Sequence, residues 1–596
     1  MITLGINAAF HDSAAALVID GTLVAAAEEE RFTRIKHGKR PVPFSAWELP
    51  FNAIDYCLSE AGLSLAHVDH VAYSYDPAEF IADRLDDGRA WLPMALDPPP
   101  SEQWESPWDP LFACYMQHVP RQLVDGAPHH LRRRFSGVTH QGPFRFHHVG
   151  HHLCHQASAF LAGPFDRCAV MTLDGRGERA TTTYGSWTGR EYRPLGRVEM
   201  PHSLGMLYER ITSHLGFLHS SDEYKVMALA ALGRPTRLES FLELIDLGPE
   251  GRYTIAGFDP AERFGPPRRR GEPLTQTHFD LAASLQQALE RTVLRLARWL
   301  REASGERHLC MAGGVALNCV MNARLRDARV FERVWVQPAA GDAGTALGAA
   351  LWIDHQMTDP ERRDLQTRAP RTTDRQGVDA ARRWTMTHAY WGPGFGDAQI
   401  EELLRWAKVR YRPLQDVAVE TARLLAEDRI IGWFQGRMEF GPRALGGRSI
   451  LASPLSPDMQ ARLNELKDRE DFRPVAPAVP LEDFGDWFTS PAPDADGAPY
   501  MLFLFDVRPE QAARIPAVCH ADRTARVQTV ARAANPRYYA TLRGFQALTG
   551  VPVLVNTSFN VRGEPIVCTP RDALNAFFST PLDALVIGRF LIEKRP

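Results

Sequence analysis

The sequence predicts a multidomain α/β protein whose first domain is built on a duplicated unit. Its 596 residues exceed a single domain of roughly 100–200 residues, so more than one core is expected. A strand-turn-strand opening is read at Thr3–Asn7, Ala14–Ile19 and Leu23–Ala27, with Asp20-Gly21 as a two-residue hairpin turn. The same grammar returns at Ala169–Leu173 and Ala180–Trp187, with Asp174-Gly175 after its first strand. Two such openings in one domain point to a repeat.

Composition narrows the class. With 44% hydrophobic residues, 23% charged residues and a net charge of -4, the chain reads as an ordinary soluble globular protein. No basic excess points to nucleic acid, and the runs Arg132-Arg133-Arg134 and Arg268-Arg269-Arg270 are short enough to be solvated loops. The eight cysteines are scattered, with no CxxC pair. That disfavours a zinc ribbon or a disulfide framework and fits a reducing, cytoplasmic setting. The first apolar stretch has no cationic start and is interrupted by Asp12, and no window approaches about 18 uninterrupted apolar residues. Neither a signal peptide nor a membrane span is expected.

Between the two openings, residues 75–146 are rich in Pro, Trp and Asp and read as an insertion, with a helix over Pro77–Leu85 started by Asp76 and Pro77. Its role is open between a lid or acceptor surface and decoration. The stretch from His147 to Phe160 holds five of the 21 histidines. His151 and His155 are four apart, so on a helix both imidazoles leave one face and can share a metal ion. A satisfied structural pair stays open at this point. A metalloprotease needs a glutamate directly after the first histidine, and His152 stands there. Carboxylates from elsewhere are then needed, a donor set suited to iron(II), manganese or zinc.

Residues 278–304 form an amphipathic core helix with Leu281, Leu285, Leu289, Leu296 and Leu300 on one face and Gly305 as its stop. A short strand at Leu309–Ala312 runs into Gly313-Gly314 and a helix reaching Asn318, a turn that bares backbone N–H groups where phosphate or nucleotide can lie. A second loop-to-helix element follows at Gly341–Gly348, with Asp342 in the loop, within reach of a metal. Its glycine spacing is not GxGxxG, so a dinucleotide-binding fold is not expected.

Residues 357–387 are charged and without sustained apolar period, and read as a connection. A second α/β domain, 388–596, then carries strands at Ile430–Phe434, Val551–Val555 and Ala584–Ile587, and a last helix capped by Thr569-Pro570-Arg571-Asp572. Its unusual stretch is Gln435–Ser449, where arginines are set among Gly, Pro and aromatic residues; Lys467, Arg469, Arg473, Arg526 and the Asn556–Pro565 run follow. Guanidinium pairs bidentately with phosphate, so a pocket for a small phosphorylated substrate is inferred beside the alternative of structural ion pairs.

Taken together, His11-Asp12-Ser13-Ala14, the His151–His155 segment, Leu173-Asp174-Gly175, Ala312–Asn318, Gly341–Gly344, Gly441-Pro442-Arg443-Ala444-Leu445-Gly446, Phe472-Arg473-Pro474 and Asn556–Pro565 resemble the O-carbamoyltransferases of antibiotic and nodulation-factor biosynthesis. The resemblance covers nearly the whole chain. It implies a TsaD-like first domain of the actin-like ATPase superfamily, with duplicated RNase H-like halves (1–356), and a YrdC-like second domain.

It further implies that carbamoyl phosphate yields carbamate in the second domain, that carbamate attacks the α-phosphorus of ATP, and that the resulting carbamoyl-adenylate passes to the first domain. There a hydroxyl of a natural product takes the carbamoyl group. By position, His151, His155, Asp174 and Asp342 resemble the family's metal ligands, with Fe(2+) the expected ion and Mg(2+) accompanying ATP. Arg443, Lys467, Arg473, Arg526, Ser558 and Arg562 resemble its phosphate contacts, with Arg443, Lys467 and Arg473 also counted as catalytic. Gly313, Gly314, Asn318 and Gly341 resemble its nucleotide contacts.

The acceptor step needs charge stabilisation and removal of one proton; His11 is the candidate base, and Asp12 is read as orienting either His11 or the acceptor. The partners expected are small molecules, without nucleic acid or membrane, and a homodimer is among the options. The chain departs from the family after Lys225-Val226-Met227, where Ala228–Gly233 replaces a GLAPYG-like stretch. The competing readings are a threonylcarbamoyl-adenylate enzyme acting on tRNA, whose basic surface is missing, and a non-catalytic chaperone-like ATPase, which has no use for the arginine pocket.

Overall fold

The computed structural model describes residues 1–8, 11–38, 49–81, 144–358, 384–491 and 497–594. Strands β1 (Ile2–Asn7), β2 (Ala14–Ile19), β3 (Thr22–Glu28), β4 (His70–Tyr73) and β5 (Arg145–His148) form a sheet of order β3-β2-β1-β4-β5. Its first three strands are antiparallel, and β4 and β5 run parallel to β1. Next come β6 (Cys168–Leu173), β7 (Ala180–Trp187), β8 (Tyr192–Glu199), a small hairpin of β9 (Ile245–Leu247) and β10 (Tyr253–Ile255), and then β11 (His308–Ala312) and β12 (Arg333–Val336). The second sheet has the order β12-β11-β6-β7-β8, with the same pattern of antiparallel and parallel pairs. Read from either hairpin edge, the two sheets are one topology used twice.

Each half ends in an equivalent helix, His151–Phe160 after β5 and Ala343–Met357 after β12. These two helices meet backbone to backbone: a Cβ on Gly348 would stand 1.8 Å from the carbonyl oxygen of Cys154, and one on Gly5 of β1 would stand 1.9 Å from that of Ala346. Only glycine permits this approach. The tight seam brings the N-terminal ends of both helices, and the loops after β1 and β6, to one point.

The amphipathic helix spans Gln276–Ser304 with Gly305 as its left-handed cap, and all five of its expected leucines are buried. Of the basic runs, Arg269 and Arg270 are exposed as expected. Arg268 is not: its guanidinium bonds the carbonyls of Leu215 and Glu272 and lies 5.1 Å from the Phe217 ring. Beyond the turn of helix at Pro77–Ile81, the insertion over 82–143, with the Arg132 run, lies outside the described residues, as does 359–383 of the connection. Residues 384–391 pack on the first domain, where Met386 donates its N–H to Ala162 O at 2.8 Å and joins the cluster of Ala14, Ala346 and Leu347.

The later residues carry β13 (Arg412–Pro413), β16 (Ala476–Pro480), β20 (Gln528–Val530) and β23 (Phe590–Glu593), and apart from them a small sheet of β17 (Phe488–Thr489), β18 (Phe505–Val507) and β19 (Thr524–Ala525). With β14 (Ile431–Phe434), β15 (Arg448–Ala452), β21 (Leu554–Ser558) and β22 (Ala584–Ile587) as central members, the first four complete an eight-stranded mixed sheet of order β13-β23-β22-β14-β15-β21-β16-β20. The strand expected at Val551–Val555 therefore starts three residues later, because Val551–Val553 lie outside the ladder and pairing with β15 runs over Val555–Ser558. The last helix has the expected cap: Thr569 Oγ1 accepts from Asp572 N at 3.2 Å, and Asp572 Oδ2 accepts from Thr569 N at 2.8 Å.

Arg448 is the keystone of this domain. Fully buried, it donates to the carbonyls of Gln435, Gly436, Gly447, Pro393 and Cys568 and lies 3.6 Å from the Phe434 ring centroid. Of the arginines read as phosphate ligands by composition, this one is spent on the fold. Arg448→Ala removes this donor from all five carbonyls, of which, among the described residues, only Gly447 O and Pro393 O keep a backbone N–H, from Gln435 and Met438, and a urea titration is expected to show a loss of about 3 kcal/mol or more.

Candidate metal centre and anion pocket

His151 and His155 leave the first turns of their helix toward Asp174, which follows β6, and Asp342, which precedes the helix Ala343–Met357. All four are buried, with one ligand atom each lying within 4.8 Å of the others. His151 Nε2 is 3.6 Å from both Asp174 Oδ2 and Asp342 Oδ1, and His155 Nε2 is 3.7 and 3.6 Å from the same atoms. These separations are longer than hydrogen bonds. They match the edges of a tetrahedron around a divalent ion with bonds of about 2.1–2.2 Å, which are roughly 3.4–3.6 Å long.

Neither ring nitrogen of His155 has a hydrogen-bond partner among the described residues, although the side chain is fully buried. His151 Nδ1 lies 3.2 Å from Ser74 O, which fixes its ring. Two imidazoles, two carboxylates and a buried nitrogen without a partner fit a divalent cation.

Without an ion the charges compensate one another. Burial works against charging the histidines, but Asp342 and Asp174 outweigh it and hold His151 well above the imidazole range and His155 above it. Burial likewise opposes ionisation of the two carboxylates, yet His151 and His155 hold Asp174, and His11 and then His151 hold Asp342, below the carboxylate range. A cation of charge two would replace the imidazole protons in that role.

The Gly313-Gly314 turn serves this centre. Gly314 N donates to Asp174 Oδ1 at 2.7 Å, and Gly313 N to Ala340 O at 2.8 Å, beside the loop of Asp342. The expectation that these amides are bared for phosphate is corrected: both are committed to orienting metal-centre segments. The expected helix is also divided into a 3-10 turn at Gly314–Leu317 and a helix Cys319–Asp327. Asn318 caps the latter through Met321 N at 3.0 Å and exchanges hydrogen bonds with Gln286. Gly341 keeps an open approach, since a Cβ there would meet only Leu317 Cδ1, at 3.8 Å.

Beside the centre stand His11 and Asp12. His11 Nδ1 is 3.0 Å from Asp12 Oδ2, and His11 Nε2 faces Asp342 Oδ2 at 3.8 Å.

The second cluster lies where the domains meet. Lys467 is buried, Arg443, Arg469 and Arg526 are half-buried, and Arg473 projects its guanidinium 4.7 Å from the ring centroid of Tyr224, a first-domain residue. Among the described residues, Arg443 Nε, Arg526 Nε and Arg469 Nη2 are buried without partners. Burial first, then Arg526, pushes Arg443 down to about 9; burial, then Arg473 and Arg526, pushes Arg469 down to about 9. Guanidinium groups keep their protons in proteins, so this push is repulsion that a bound anion relieves.

Lys467 is pushed well below the ammonium range by burial and then by Arg469, Arg473 and Lys36. It donates to Ser558 O, Ser558 Oγ and Asn560 Oδ1 at 2.6, 2.9 and 2.8 Å. Ser558 thus joins the pocket as the anchor of Lys467. Arg562 does not join: it is 63% exposed and pairs at 2.8 Å with Asp468, itself 77% exposed. Arg562→Ala is therefore expected to change the affinity for inorganic phosphate less than about threefold, an effect typical of an exposed pair.

Arg469, read in the sequence as one of the basic residues of this stretch but given no role by the family resemblance, joins the pocket; Tyr224, one residue before the Lys225-Val226-Met227 segment, is not singled out by the sequence. The strongest missed signal is Glu28-Glu29-Glu30-Arg31, four charges at the end of an apolar strand and in the turn beyond it, all of them buried. Glu28 accepts Gly441 N at 2.7 Å, and Arg31 donates to Gly441 O at 2.9 Å. A Cβ on Gly441, at φ 120°, would stand 2.9 Å from Pro338 O in the loop that carries Asp342. The loop of Arg443 is thus clasped to the metal-centre loop.

Fold and site together define a two-domain α/β protein in which a histidine–carboxylate centre lies between the halves of the first domain and a cation pocket lies where the two domains meet. The chain belongs to the carbamoyltransferase family: the family model for the carbamoyltransferase N-terminus matches residues 2–125 and 143–351, and that for the C-terminus matches 422–594. It is accordingly a transferase of the carbamoyl group. Similar proteins include sll1178 of Synechocystis sp., 42% identical over 99% of this chain and 96% of that protein. Nodulation protein NolNO of Sinorhizobium fredii is 38% identical over 99% of this chain and 80% of that protein. Nodulation protein NolO of Bradyrhizobium diazoefficiens is 40% identical over 75% of this chain and 79% of that protein. Among solved structures, HypF of T. kodakarensis aligns over 60% of this chain and 48% of that chain at 13% identity, with a TM-score of 0.32. Among the described residues, no helix is long and apolar enough to cross a membrane.

Proposed function

We propose that the protein is an ATP-dependent O-carbamoyltransferase that makes carbamoyl-adenylate from carbamoyl phosphate and ATP, then carbamoylates a hydroxyl of a small natural product such as a sugar or macrolide. The observation that carries this reading is the set of buried, partnerless guanidinium nitrogens of Arg443, Arg469 and Arg526 in a pocket whose Arg443 loop abuts, Gly441 against Pro338, the loop that carries Asp342 of the His151–His155–Asp174–Asp342 centre. In this reading the first domain is an actin-like, TsaD-like ATPase fold, the second is YrdC-like, and the enzyme works in the cytoplasm.

Carbamoyl phosphate enters the cation pocket, where Arg443 and Arg526 meet its phosphate oxygens and Arg473 closes against Tyr224. Water cleaves it to carbamate and inorganic phosphate. A carbamate oxygen then attacks the α-phosphorus of ATP, forming one P–O bond as the bond to pyrophosphate breaks. In the first domain the acceptor oxygen attacks the carbamoyl carbon; the carbon–oxygen bond to AMP breaks, and the hydroxyl proton passes to His11 Nε2. His151, His155, Asp174 and Asp342 would hold the divalent ion, with iron(II) the expected metal, and the ion supplies positive charge for the phosphate oxygens of the adenylate. Asp12 holds His11 with Nδ1 protonated and Nε2 ready to accept.

Purified protein incubated with ATP and carbamoyl phosphate, without acceptor, is expected to yield carbamoyl-adenylate and pyrophosphate by mass spectrometry. Formation of an adenylate from bicarbonate and threonine instead would move the function to tRNA modification.

A further inference from the structure

The Asp12 carboxylate has a second histidine on its far oxygen. His37 Nδ1 lies 2.8 Å from Asp12 Oδ1, while His11 Nδ1 lies 3.0 Å from Oδ2. The other ring nitrogen of His37, Nε2, lies 3.1 Å from Ser221 Oγ. The contact is built from the backbone as well: Asp12 N donates to His37 O at 3.1 Å, and His37 N donates to Glu30 Oε2 at 2.7 Å. Glu30 is in turn fixed by buried Arg31 at 2.8 Å. Asp12 and His37 both adopt left-handed backbone, at φ 50° and 62°, which costs a non-glycine residue energy and persists only where the surroundings over-determine it. Two strained residues locked face to face serve the side chains they present.

We infer that His37 is a positioning residue for acceptor deprotonation, holding Asp12 from behind so that His11 keeps Nδ1 on the carboxylate and turns Nε2 into the metal-centre cleft. The inference rests on the functional reading above, in which His11 takes the hydroxyl proton. A carboxylate with one partner rotates about its terminal torsion, whereas one gripped at both oxygens does not. His37 never touches the reacting atoms; its effect passes through Asp12. Ser221, at the far end of the array, sits two residues before the helix Glu223–Ala230, whose Lys225 Nζ reaches Glu470 of the second domain at 2.9 Å. The orientation of the base is thereby tied to the docking of the cation pocket.

The test uses the full-length, metal-loaded enzyme with carbamoyl-adenylate formed in place and methanol as the hydroxyl probe. Carbamoyl-adenylate and methanol give methyl carbamate and AMP, the proton going to His11. For His37→Ala, adenylate formation is expected within about twofold of wild type while AMP and methyl carbamate release slow by roughly 30- to 100-fold, the scale of a disoriented general base. His37→Asn puts an amide N–H where Nδ1–H stood and is expected to recover to within about fivefold. Unchanged release in His37→Ala, equal losses in both half-reactions, or an Asn variant as slow as the Ala variant each overturns the assignment while leaving the overall reaction standing. A wild-type protein that forms no carbamoyl-adenylate, or that holds it without releasing AMP, overturns the functional reading and His37's role with it.

Discussion

Arg443→Met is expected to abolish carbamoyl-adenylate formation, by about a thousandfold or more, and to make the ligand-free protein more stable. The two effects have one cause. Arg443, Arg469, Arg473, Arg526 and Lys467 crowd positive charge into a buried space, where burial and the neighbouring cations press down on Arg443, Arg469, Arg526 and Lys467. A site that repels itself when empty is arranged for the anion that fills it. Replacing one guanidinium by a thioether of similar reach removes a repulsive partner and a desolvation cost together. In phosphate-free buffer the melting temperature of the variant is expected to rise by about 2 °C, the shift that roughly 1 kcal/mol produces in a chain of more than about 150 residues. Inorganic phosphate is expected to raise the melting temperature of the wild type and to leave that of the variant unmoved. A variant less stable than wild type would show that Arg443 is a structural ion-pair member and would remove it from the pocket.

His155→Ala is expected to take bound metal from one ion per chain to nearly none, and to stop carbamoyl transfer while sparing adenylate formation. His155 brings a buried ring nitrogen within 3.7 Å of both carboxylates, so its loss removes a quarter of the donor set and leaves Asp174 and Asp342 facing one another with one imidazole fewer. Metal content by elemental analysis and transfer by AMP release are expected to fall together, the latter by about a thousandfold. Treating wild type with a chelator should reproduce the loss, and adding iron(II) should restore it. Retained metal with lost transfer would mean that His155 acts on substrate and is not a ligand.

Much of this was legible in sequence because the informative residues sit at strand ends. Hairpin grammar located the duplicated openings, and four-residue spacing placed His151 and His155 on one helix face. Asp342 stood out as a carboxylate in a loop before a helix, whereas Asp174 entered the ligand set only through the family resemblance. What sequence does not carry is the partner of each group. Gly313 and Gly314 have the composition of a phosphate turn, but their N–H groups are consumed by Ala340 and Asp174. Arg448 and Arg562 share a glycine-rich setting with Arg443, yet one is enclosed by carbonyls and the other lies in solvent. His37, 25 positions from Asp12, and Arg31, 410 positions from Gly441, have roles that exist only once the chain has folded.

The duplicated architecture divides ownership of the centre. The helix after the first sheet supplies His151 and His155, and the second half supplies Asp174 and Asp342. Neither half has a binding site of its own; an ion at this point is a rivet through two plates, and its affinity measures how tightly they are pressed together. Gly348, at the closest contact of the two helices, is then a tolerance of the joint. A methyl group added there would lever the plates apart and loosen the rivet without touching it.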